Sequence, residues 1–425
     1  MQGVSKRLKI LQIIDHFYPV LGYQETFLAK AYSCYHESLV VTSDRFEKRI
    51  YLPNKNLLKK RVIGSGLFME EGIKTLRLPT LFDVEPFNKP WLIGLERAVF
   101  DFKPDVIIVH DLVSITSIRI ARLKSKLPTA KFIFDDHMTY NATRRGWTLL
   151  MYKIFRRVFT PMLLKAVDLF VAAVSDETRR FMEEMYAIPA RRTVVIPLGV
   201  DRSIFRRDLE SRAILRNKYK LRDNDIVFLY AGKIIPEKGV HLLVDAGIEM
   251  CGRHPNVKLM FVGGSYQAYI EQLRERIRKS GFSNRFVFIE AVPNKQLYRY
   301  YNAADVGVWP LQCSISMIEA MSCGLPIIIS DKSGTVERVS EGTGMIYREG
   351  DANDLRMKME ELVDEDRRKI MSKNAEKYTE RLDWNIISEK LLDFLFFRYR
   401  INEPEKNLCS ITESRNQTYI HEDKE

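Results

Sequence analysis

The stretch WPLQCSISMIEAMSCGLPIIISDKSGTVE, residues 309–337, decides the fold. A buried-strand pattern over residues 304–309 is followed by a small polar turn with Ser314 and Ser316, where a helix should begin. Gly324 and Pro326 end that helix, and a second buried strand follows. A helix N-terminus presents unsatisfied N–H groups and a partial positive charge. The stretch therefore predicts a diphosphate site that needs neither a metal nor a glycine-rich P-loop.

Glu319 falls one turn inside the predicted helix. A carboxylate there repels phosphate, but it can accept two hydrogen bonds from the vicinal hydroxyls of a ribose. The turn Ser314, Ile315 and Ser316 together with Glu319 is thus a candidate nucleotide site. The alternative is that Glu319 lies on the helix surface and the serines are ordinary caps.

Length and composition indicate two domains without membrane spans. The chain has 425 residues, of which 46% are hydrophobic, and this is too long for one compact domain. The five cysteines show neither metal-ligand spacing nor a paired framework, which favours a reducing compartment. No secretory leader and no run of eighteen apolar residues occurs. We therefore expect a cytoplasmic protein.

The net charge of +12 points to an acidic partner: nucleic acid, an anionic membrane surface or a phosphorylated substrate. In residues 144–165, Arg and Lys alternate with aromatic and aliphatic side chains, as in helices that lie in a membrane interface. A peripheral position on the inner membrane face follows as a hypothesis. The alternative is a core helix with a charged outer face. Residues 401–425 are predicted to be an acidic, disordered tail.

Short apolar runs alternate with helical patterns along the whole chain, which predicts an α/β fold with parallel sheets covered by helices. The predicted strands are 8–14, 38–42, 75–78, 105–109, 131–134, 169–174 and 193–196, and then 226–230, 257–262, 285–289, 306–309, 327–329 and 344–347. A polar, Arg-rich stretch without strand pattern, residues 199–223, separates the two series and is interpreted as the linker. We place domains at 1–203 and 204–383, with a final helix at 384–400. Two facing doubly wound domains put their loops into one cleft.

The loops of the first series carry candidate acceptor-side residues. After the first strand, Gly22 and Tyr23 precede a helix expected near Thr26, and the glycine would let the backbone approach a ligand. His110 and His137 end neighbouring strands on the cleft edge, where they can transfer protons or bind hydroxyls. A metal site of Asp135, Asp136 and His137 is disfavoured, because adjacent strand residues point to opposite faces. No metal and no cofactor are expected.

The second series begins with a strand followed by AGKIIPEKG, residues 231–239, and then a helix. From this loop, Lys233 and Lys238 can reach a diphosphate and stabilise a leaving group, beside Gly232. Each lysine alone is more often a solvated surface residue.

These motifs resemble the retaining nucleotide-sugar glycosyltransferases of family 4, which have the GT-B fold of two facing Rossmann-like domains. The similar pieces are GKIIPEKG (232–239), IEAMSCGLP (318–326), SGTVE (333–337), IPLGVD (196–201) and AADVGVWP (303–310). The resemblance implies donor diphosphate contacts from Lys233, Lys238 and the Ser314–Ser316 turn, and ribose binding by Glu319. It implies that His137 lies near the transferred sugar, that Gly22 belongs to the acceptor-side loop and that the segment opening at Trp384 crosses back onto the first domain. The donor would carry UDP or GDP, and the acceptor would be a glycan or, as the basic segment 144–165 suggests, a polyprenyl- or other lipid-linked molecule.

Two positions depart from the family pattern. Leu311 stands where the family often has a second glutamate, which puts in doubt any scheme that uses that carboxylate. Tyr23 replaces the second glycine of the loop, so it narrows the loop or contacts the acceptor. Attack on the face from which the diphosphate leaves retains configuration without an enzyme carboxylate, and we expect this route. A non-catalytic nucleotide-sugar scaffold and a GT-B epimerase remain alternatives. A nucleic-acid binder lacks a recognition motif here.

Overall fold

The computed structural model describes residues 7–82, 90–140, 146–165, 169–311, 314–332 and 334–396. Its first sheet has eight strands in the order β3-β4-β2-β1-β5-β6-β7-β8, all parallel to their neighbours except the antiparallel pair β3 and β4. The strands are β1 (Lys9–Ile13), β2 (Glu37–Ser43), β3 (Gly66–Glu70), β4 (Ile73–Leu78), β5 (Val106–Val109), β6 (Lys131–Asp136), β7 (Leu169–Ala173) and β8 (Thr193–Val195).

The second sheet has six strands, all parallel, in the order β11-β10-β9-β12-β13-β14. They are β9 (Ile226–Ala231), β10 (Val257–Val262), β11 (Phe286–Ile289), β12 (Val306–Trp309), β13 (Ile327–Ser330) and β14 (Gly344–Tyr347). These strands are rich in Val, Ile, Leu and Phe, and β9, β12 and β13 are buried throughout, as expected of strands covered on both faces.

Helices connect the strands of both sheets. Those of the first half are α1 (Gln24–Tyr35), α2 (Lys48–Tyr51), α3 (Lys55–Leu58), α4 (Leu95–Phe102), α5 (Ile115–Ala121), α6 (Gly146–Ile154), α7 (Thr160–Lys165) and α8 (Asp176–Phe181). Those of the second half are α9 (Leu209–Lys218), α10 (Val240–Arg253), α11 (Gln267–Ser280), α12 (Leu297–Ala303), α13 (Ile315–Ser322), α14 (Ala352–Glu361), α15 (Glu365–Thr379) and α16 (Trp384–Phe396).

Every strand predicted from the sequence is present, but β3 was not predicted. It pairs with β4 across a hairpin whose turn residues Glu71 and Gly72 both have positive φ. Its alternate side chains Leu67 and Met69 are exposed, so the strand lacks the continuous apolar run of the buried strands. The first sheet therefore has one antiparallel edge strand in addition to the predicted parallel strands.

Residues 199–223, interpreted from the sequence as the linker, contain the helix α9, which the sequence did not predict. Asp208 caps this helix by accepting a hydrogen bond from the N–H of Ser211. Arg212 and Arg216 of α9 form ion pairs with the carboxylate of Asp305, at 2.7 and 3.3 Å. Asp305 directly precedes β12, so these ion pairs hold the helix beside that strand. The Arg-rich pattern thus serves docking onto the second sheet. The domain boundary near Ser203 stays a prediction.

The predicted amphipathic segment 144–165 is interrupted by a π-helical turn, Phe155–Phe159, between α6 and α7. Tyr152 and Phe155 are buried in the core beneath the first sheet, so the aromatic face is a core face. Four aliphatic side chains remain exposed together with basic ones: Leu149, Leu150, Ile154 and Val158. Arg144 and Arg145 lie outside the described residues, as does the predicted tail 401–425. Among the helices that the structure describes, none has the length and apolarity needed to cross a membrane.

Helix α16 ends the described chain and packs against α1 of the first half. The rings of Trp384 and Phe27 stack with centroids 5.6 Å apart, and Phe394 packs edge-on against Phe170. The predicted final helix is therefore present, and it ties the end of the chain to the first sheet.

Candidate functional site

A cavity of about 860 Å³ lies where the carboxyl ends of the two sheets face each other. Its lining combines loops that follow β1, β5 and β6 with loops that follow β9, β11 and β12. The predicted site residues that line it are Tyr23, His110, His137, Gly232, Lys233, Lys238, Ser314, Ile315, Ser316 and Glu319. Gly22 stands beside this lining, against the side chain of Asn294.

Ser314 caps α13 as the sequence predicts: its side chain accepts from the N–H of Ser316. The Ser316 hydroxyl donates to the carbonyl oxygen of Ala231, at 2.8 Å. The indole N–H of Trp309 donates to the carbonyl oxygen of Ala231 and to the hydroxyl oxygen of Ser316, at 3.0 Å each. The turn that opens α13 is therefore fixed to the end of β9, beside the lysine loop.

Arg338 is a cleft residue that the sequence analysis missed. It is buried, it lines the cavity, and its Nη1 donates to the carbonyl oxygen of Ser314, at 3.1 Å. The guanidinium adds a fixed positive charge beside the N-terminus of α13, where an anion would bind. The SGTVE motif ends at Glu337, immediately before Arg338, and could have drawn attention to it.

Glu319 is only 1% exposed, so it is not a surface helix residue. Its Oε1 accepts from the amide of Asn294 at 2.7 Å, and its Oε2 accepts from the hydroxyl of Tyr301 at 2.9 Å. Burial raises the pKa of Glu319 to about 7, although both donors lower it. A carboxylate has about four lone-pair sites, so two remain for ligand hydroxyls.

Lys233 and Lys238 both lie on the loop between β9 and α10. The Tyr230 hydroxyl donates to the carbonyl oxygen of Lys233, at 2.8 Å, and fixes the strand end of this loop. Burial lowers the pKa of Lys233 to about 8, with Glu47 raising it and Arg49 lowering it. A desolvated ammonium of this kind favours an anionic partner.

Leu311, the departure from the family pattern, packs against the same loop. A Cβ added to Gly239 would lie 2.5 Å from Cγ of Leu311. Gly239 has φ +67° and is the N-cap of α10, directly after Lys238. Leu311 therefore contributes an apolar contact to the lysine loop, where a carboxylate would have placed a negative charge.

His110 is buried within a hydrogen-bonded network of the first sheet. Its Nδ1 lies 2.6 Å from Oδ2 of Asp135, and its Nε2 lies 3.0 Å from Oε1 of Gln12. Burial lowers the pKa of His110, but the Asp135 carboxylate and further acidic neighbours outweigh this effect and raise it overall. Both ring nitrogens are engaged, so His110 links Asp135 to Gln12 in this network.

His137 is the more accessible of the two histidines, with 38% of its side chain exposed and Nε2 4.0 Å from Asp135 Oδ2. Asp136 is buried on the other side of the strand and accepts from the N–H of Met138. Within the described residues, no group of three or more His, Cys, Asp and Glu side chains has the arrangement of a metal site.

The start of α1 holds two cleft residues, Gln24 and Glu25, to which the sequence analysis gave no role. The helix begins at Gln24, close to the expected start near Thr26. Gln24 donates from Nε2 to Asp135 Oδ2, at 2.9 Å. Their position directly after Gly22 and Tyr23, at a helix N-terminus on the cleft edge, was the available signal.

Two family models together match most of the chain. "Glycosyl transferases group 1" matches residues 211–378, and "Glycosyltransferase Family 4" matches residues 58–204. A GDP-mannose-dependent alpha-(1-6)-phosphatidylinositol monomannoside mannosyltransferase of Mycolicibacterium smegmatis is 28% identical over 209 residues, 47% of this chain and 54% of that protein. A D-inositol 3-phosphate glycosyltransferase of Nocardia farcinica is 27% identical over 250 residues, 56% and 55% of the two chains. The chain thus spans about half the length of these curated relatives.

Solved structures share the architecture over nearly the whole chain. A sucrose-phosphate synthase of Thermosynechococcus elongatus has a TM-score of 0.68 at 19% identity and covers 91% of this chain and 98% of its own. Anabaena HepE in complex with UDP and glucose has a TM-score of 0.69 at 18% identity, with coverages of 92% and 99%. The fold is GT-B, as the sequence predicted, and the chain belongs to the family 4, group 1 glycosyltransferases.

Proposed function

We propose that the protein is a retaining glycosyltransferase that moves a sugar from a UDP- or GDP-sugar to a glycan or lipid-linked acceptor. The observation that carries this proposal is the convergence of Lys233, Lys238, the Ser314-capped helix and buried Glu319 on one cleft. The lysines and the helix N-terminus suit a diphosphate, and Glu319 suits ribose hydroxyls. Relatives named for GDP-mannose and a structural neighbour holding UDP support a nucleotide-sugar donor.

The reaction we propose proceeds on one face of the sugar. The bond from the anomeric carbon to the β-phosphate oxygen breaks, and the bond to the acceptor oxygen forms on the same side. The departing phosphate oxygen takes the acceptor proton, and Lys233, Lys238 and the N-terminus of α13 stabilise its negative charge. Leu311 supports this route, because it leaves the lysine loop without the carboxylate that a covalent intermediate at that position would use. His137 would contact the transferred sugar.

Surface polysaccharide or glycolipid synthesis is the biological role we propose. Relatives include a lipopolysaccharide 1,2-N-acetylglucosaminetransferase of Salmonella typhimurium, 23% identical over 325 residues. On α6 and the π-helical turn, the exposed Leu150, Ile154 and Val158 lie among the exposed Lys153, Arg156 and Arg157. Exposed aliphatics flanked by cations suit an anionic lipid surface. We therefore propose peripheral contact with the membrane at this face, which we call the α6 face.

The test is incubation with UDP- and GDP-sugars, with and without a glycan acceptor mixture, followed by NMR of the products. Acceptor-dependent release of the nucleoside diphosphate with an unchanged anomeric configuration supports the proposal. A new isomer formed from donor alone would identify an epimerase, and binding without any turnover would identify a scaffold. Inverted configuration would contradict the one-face route.

A further inference from the structure

We call one part of the cleft the acceptor half: it is formed by the start of α1 and the loops after β1 and β5. Its lining includes Gln24, Glu25 and Asp111. Each offers oxygen atoms that accept hydrogen bonds. A ligand that binds to them must therefore supply hydrogen-bond donors.

Gln24 is 8% exposed, and its amide orientation is fixed. Nε2 donates to the Asp135 carboxylate, which as an anion can only accept, so Oε1 is the remaining atom of the amide. No hydrogen-bond donor within the described residues reaches Oε1, although this atom is buried. A buried carbonyl oxygen without a donor is unusual, and in a residue that lines a cleft it points to a donor on the ligand.

Glu25 adds a second acceptor beside Gln24. It is also 8% exposed, and burial raises its pKa to about 7, while His110 lowers that pKa and Asp135 and Asp111 raise it. The other titratable neighbours are Tyr18 and Tyr23, whose pKa values are themselves raised by burial first and by Glu25 and Glu47. The neighbourhood of Glu25 therefore holds more acidic than basic groups.

Asp111 completes the set at the end of β5. It has φ +70°, a left-handed conformation that is uncommon outside glycine, and strained residues of this kind cluster at ligand sites. Its N–H donates to Oδ1 of Asp135, and its carbonyl accepts from Ser117. The strand end thus holds Asp111 at the cleft surface.

The Lys and Arg residues of the cleft lie outside the acceptor half. Within the described lining the Lys and Arg residues are Arg49, Lys233, Lys238 and Arg338. Lys233 and Lys238 belong to the β9–α10 loop, and Arg338 binds the turn before α13. Arg49 is close enough to Lys233 to lower the pKa of that lysine, so its charge lies near the β9–α10 loop. The acceptor half has no comparable Lys or Arg among the described lining residues.

We propose that the acceptor half binds an uncharged polyol ring, such as a neutral sugar or cyclitol. Its hydroxyls donate to Gln24 Oε1, Glu25 and Asp111. A phosphate or carboxylate on the ring that reacts is repelled, because it brings only acceptors and negative charge to groups that are themselves acceptors and acidic. Anionic groups farther along a lipid-linked acceptor are unaffected. This inference rests on the proposed function and narrows its acceptor.

The experiment compares matched pairs of probes: myo-inositol with myo-inositol 3-phosphate, and methyl glucoside with glucose 6-phosphate. Each is supplied to the full chain with the donor whose base is identified by thermal shift, and acceptor-dependent diphosphate release is measured. Ligand-observed NMR with the nucleoside diphosphate present measures binding of the same probes. We expect at least a tenfold preference for a neutral member of these pairs. Preference for the phosphorylated members, or no response to any neutral probe, would overturn the inference.

A charge variant tests the role of Glu25 separately. Glu25→Gln should shift the ratio of neutral to phosphorylated probe binding about tenfold toward the phosphorylated one, whereas Glu389→Gln on the exposed side of α16 should leave it unchanged. An unchanged ratio in both variants would remove Glu25 from the account. Stabilisation of the protein by a nucleoside diphosphate is read in the same samples. If the nucleoside diphosphate still stabilises the protein, the proposed donor site is supported even where the inference about the acceptor fails.

Discussion

Gly22 and Asn294 touch across the cleft so closely that a Cβ added to Gly22 would lie 2.2 Å from Cγ of Asn294. Gly22 follows β1 of the first sheet, and Asn294 follows β11 of the second. The amide of Asn294 also donates to Oε1 of Glu319. One side chain thus separates the acceptor-side loop from the carboxylate that we assign to the donor ribose.

Gly22→Ala should therefore weaken donor binding beyond its effect on stability. The new methyl group would force Asn294 away from Glu319, and the φ of +65° adds about 1 kcal/mol of strain. Gly72→Ala is the matched control, since Gly72 has φ +82° but no atom within 4 Å of the added Cβ. Both variants carry the strain of positive φ, but Gly22→Ala should lose more stability because of the clash with Asn294, and only Gly22→Ala should raise the Kd for the nucleoside diphosphate. Equal Kd values in the two variants would contradict the shared role of Asn294.

Lys238→Ala should lower turnover by about a hundredfold to a thousandfold, because one preorganised charge on the leaving group is lost. Folding should be unaffected, as Lys238 is only half-buried and lies in a loop. The comparison is Lys390→Ala, which removes an exposed lysine of α16 that is not part of the cleft lining. Steady-state kinetics with matched thermal unfolding would check both. Near-normal turnover in Lys238→Ala would remove this lysine from the mechanism.

The stability of the protein should depend on the titration of Glu319. The pKa of Glu319 is about 7 in the folded protein, against an ordinary value of 4.5. Between these two values the carboxyl group is protonated in the folded protein and ionised in the unfolded chain, so the folded state binds more protons. The contribution of Glu319 to the free energy of unfolding consequently falls as the pH rises through this window. Glu319→Gln does not titrate there. Its stability relative to wild type should rise by about 1 to 3 kcal/mol between about pH 5 and pH 8.

Denaturant unfolding at several pH values would measure this difference. Glu25 and Asp136, whose burial also raises their pKa values to about 7, remain in both proteins and cancel in the comparison. A difference that stays flat with pH would show that Glu319 is not a buried titrating group.

Binding of the α6 face to membranes can be tested with vesicles that contain anionic lipid. Each cation near such a surface contributes about 1 kcal/mol, so Lys153→Glu with Arg157→Glu should lower partitioning at least tenfold. Arg278→Glu with Lys279→Glu makes the same charge change on exposed positions of α11. That control should bind as wild type does. Equal loss in both proteins would assign binding to net charge alone, and no binding by wild type would end the membrane proposal.

The sequence predicted the sheets, and that the Ser314 turn, Glu319 and the lysine loop meet at one cleft, because their signals are local. Apolar runs mark the buried strands, and the Ser314 turn, Glu319 and the lysine loop each follow a strand directly. The hairpin strand β3 was not predicted because one of its faces is exposed. Helix α9 was not predicted because its partner Asp305 is distant in sequence. Asn294, Arg338 and Gln24 acquire their roles only through contacts with Glu319, Ser314 and Asp135. Such contacts between distant segments leave no periodic pattern to read.

The most direct test of the account is thermal stability with UDP, GDP, ADP and dTDP in turn, for the wild type and for Glu319→Ala. A ligand at about a hundred times its Kd adds roughly 2.7 kcal/mol to the free energy of unfolding. Glu319→Gln, which preserves the volume of the side chain, is measured alongside in case the alanine variant fails to fold. We predict that one diphosphate stabilises the wild type and loses most of this effect in both variants. No stabilisation of the wild type, or equal stabilisation of all three proteins, would contradict the donor site at Glu319.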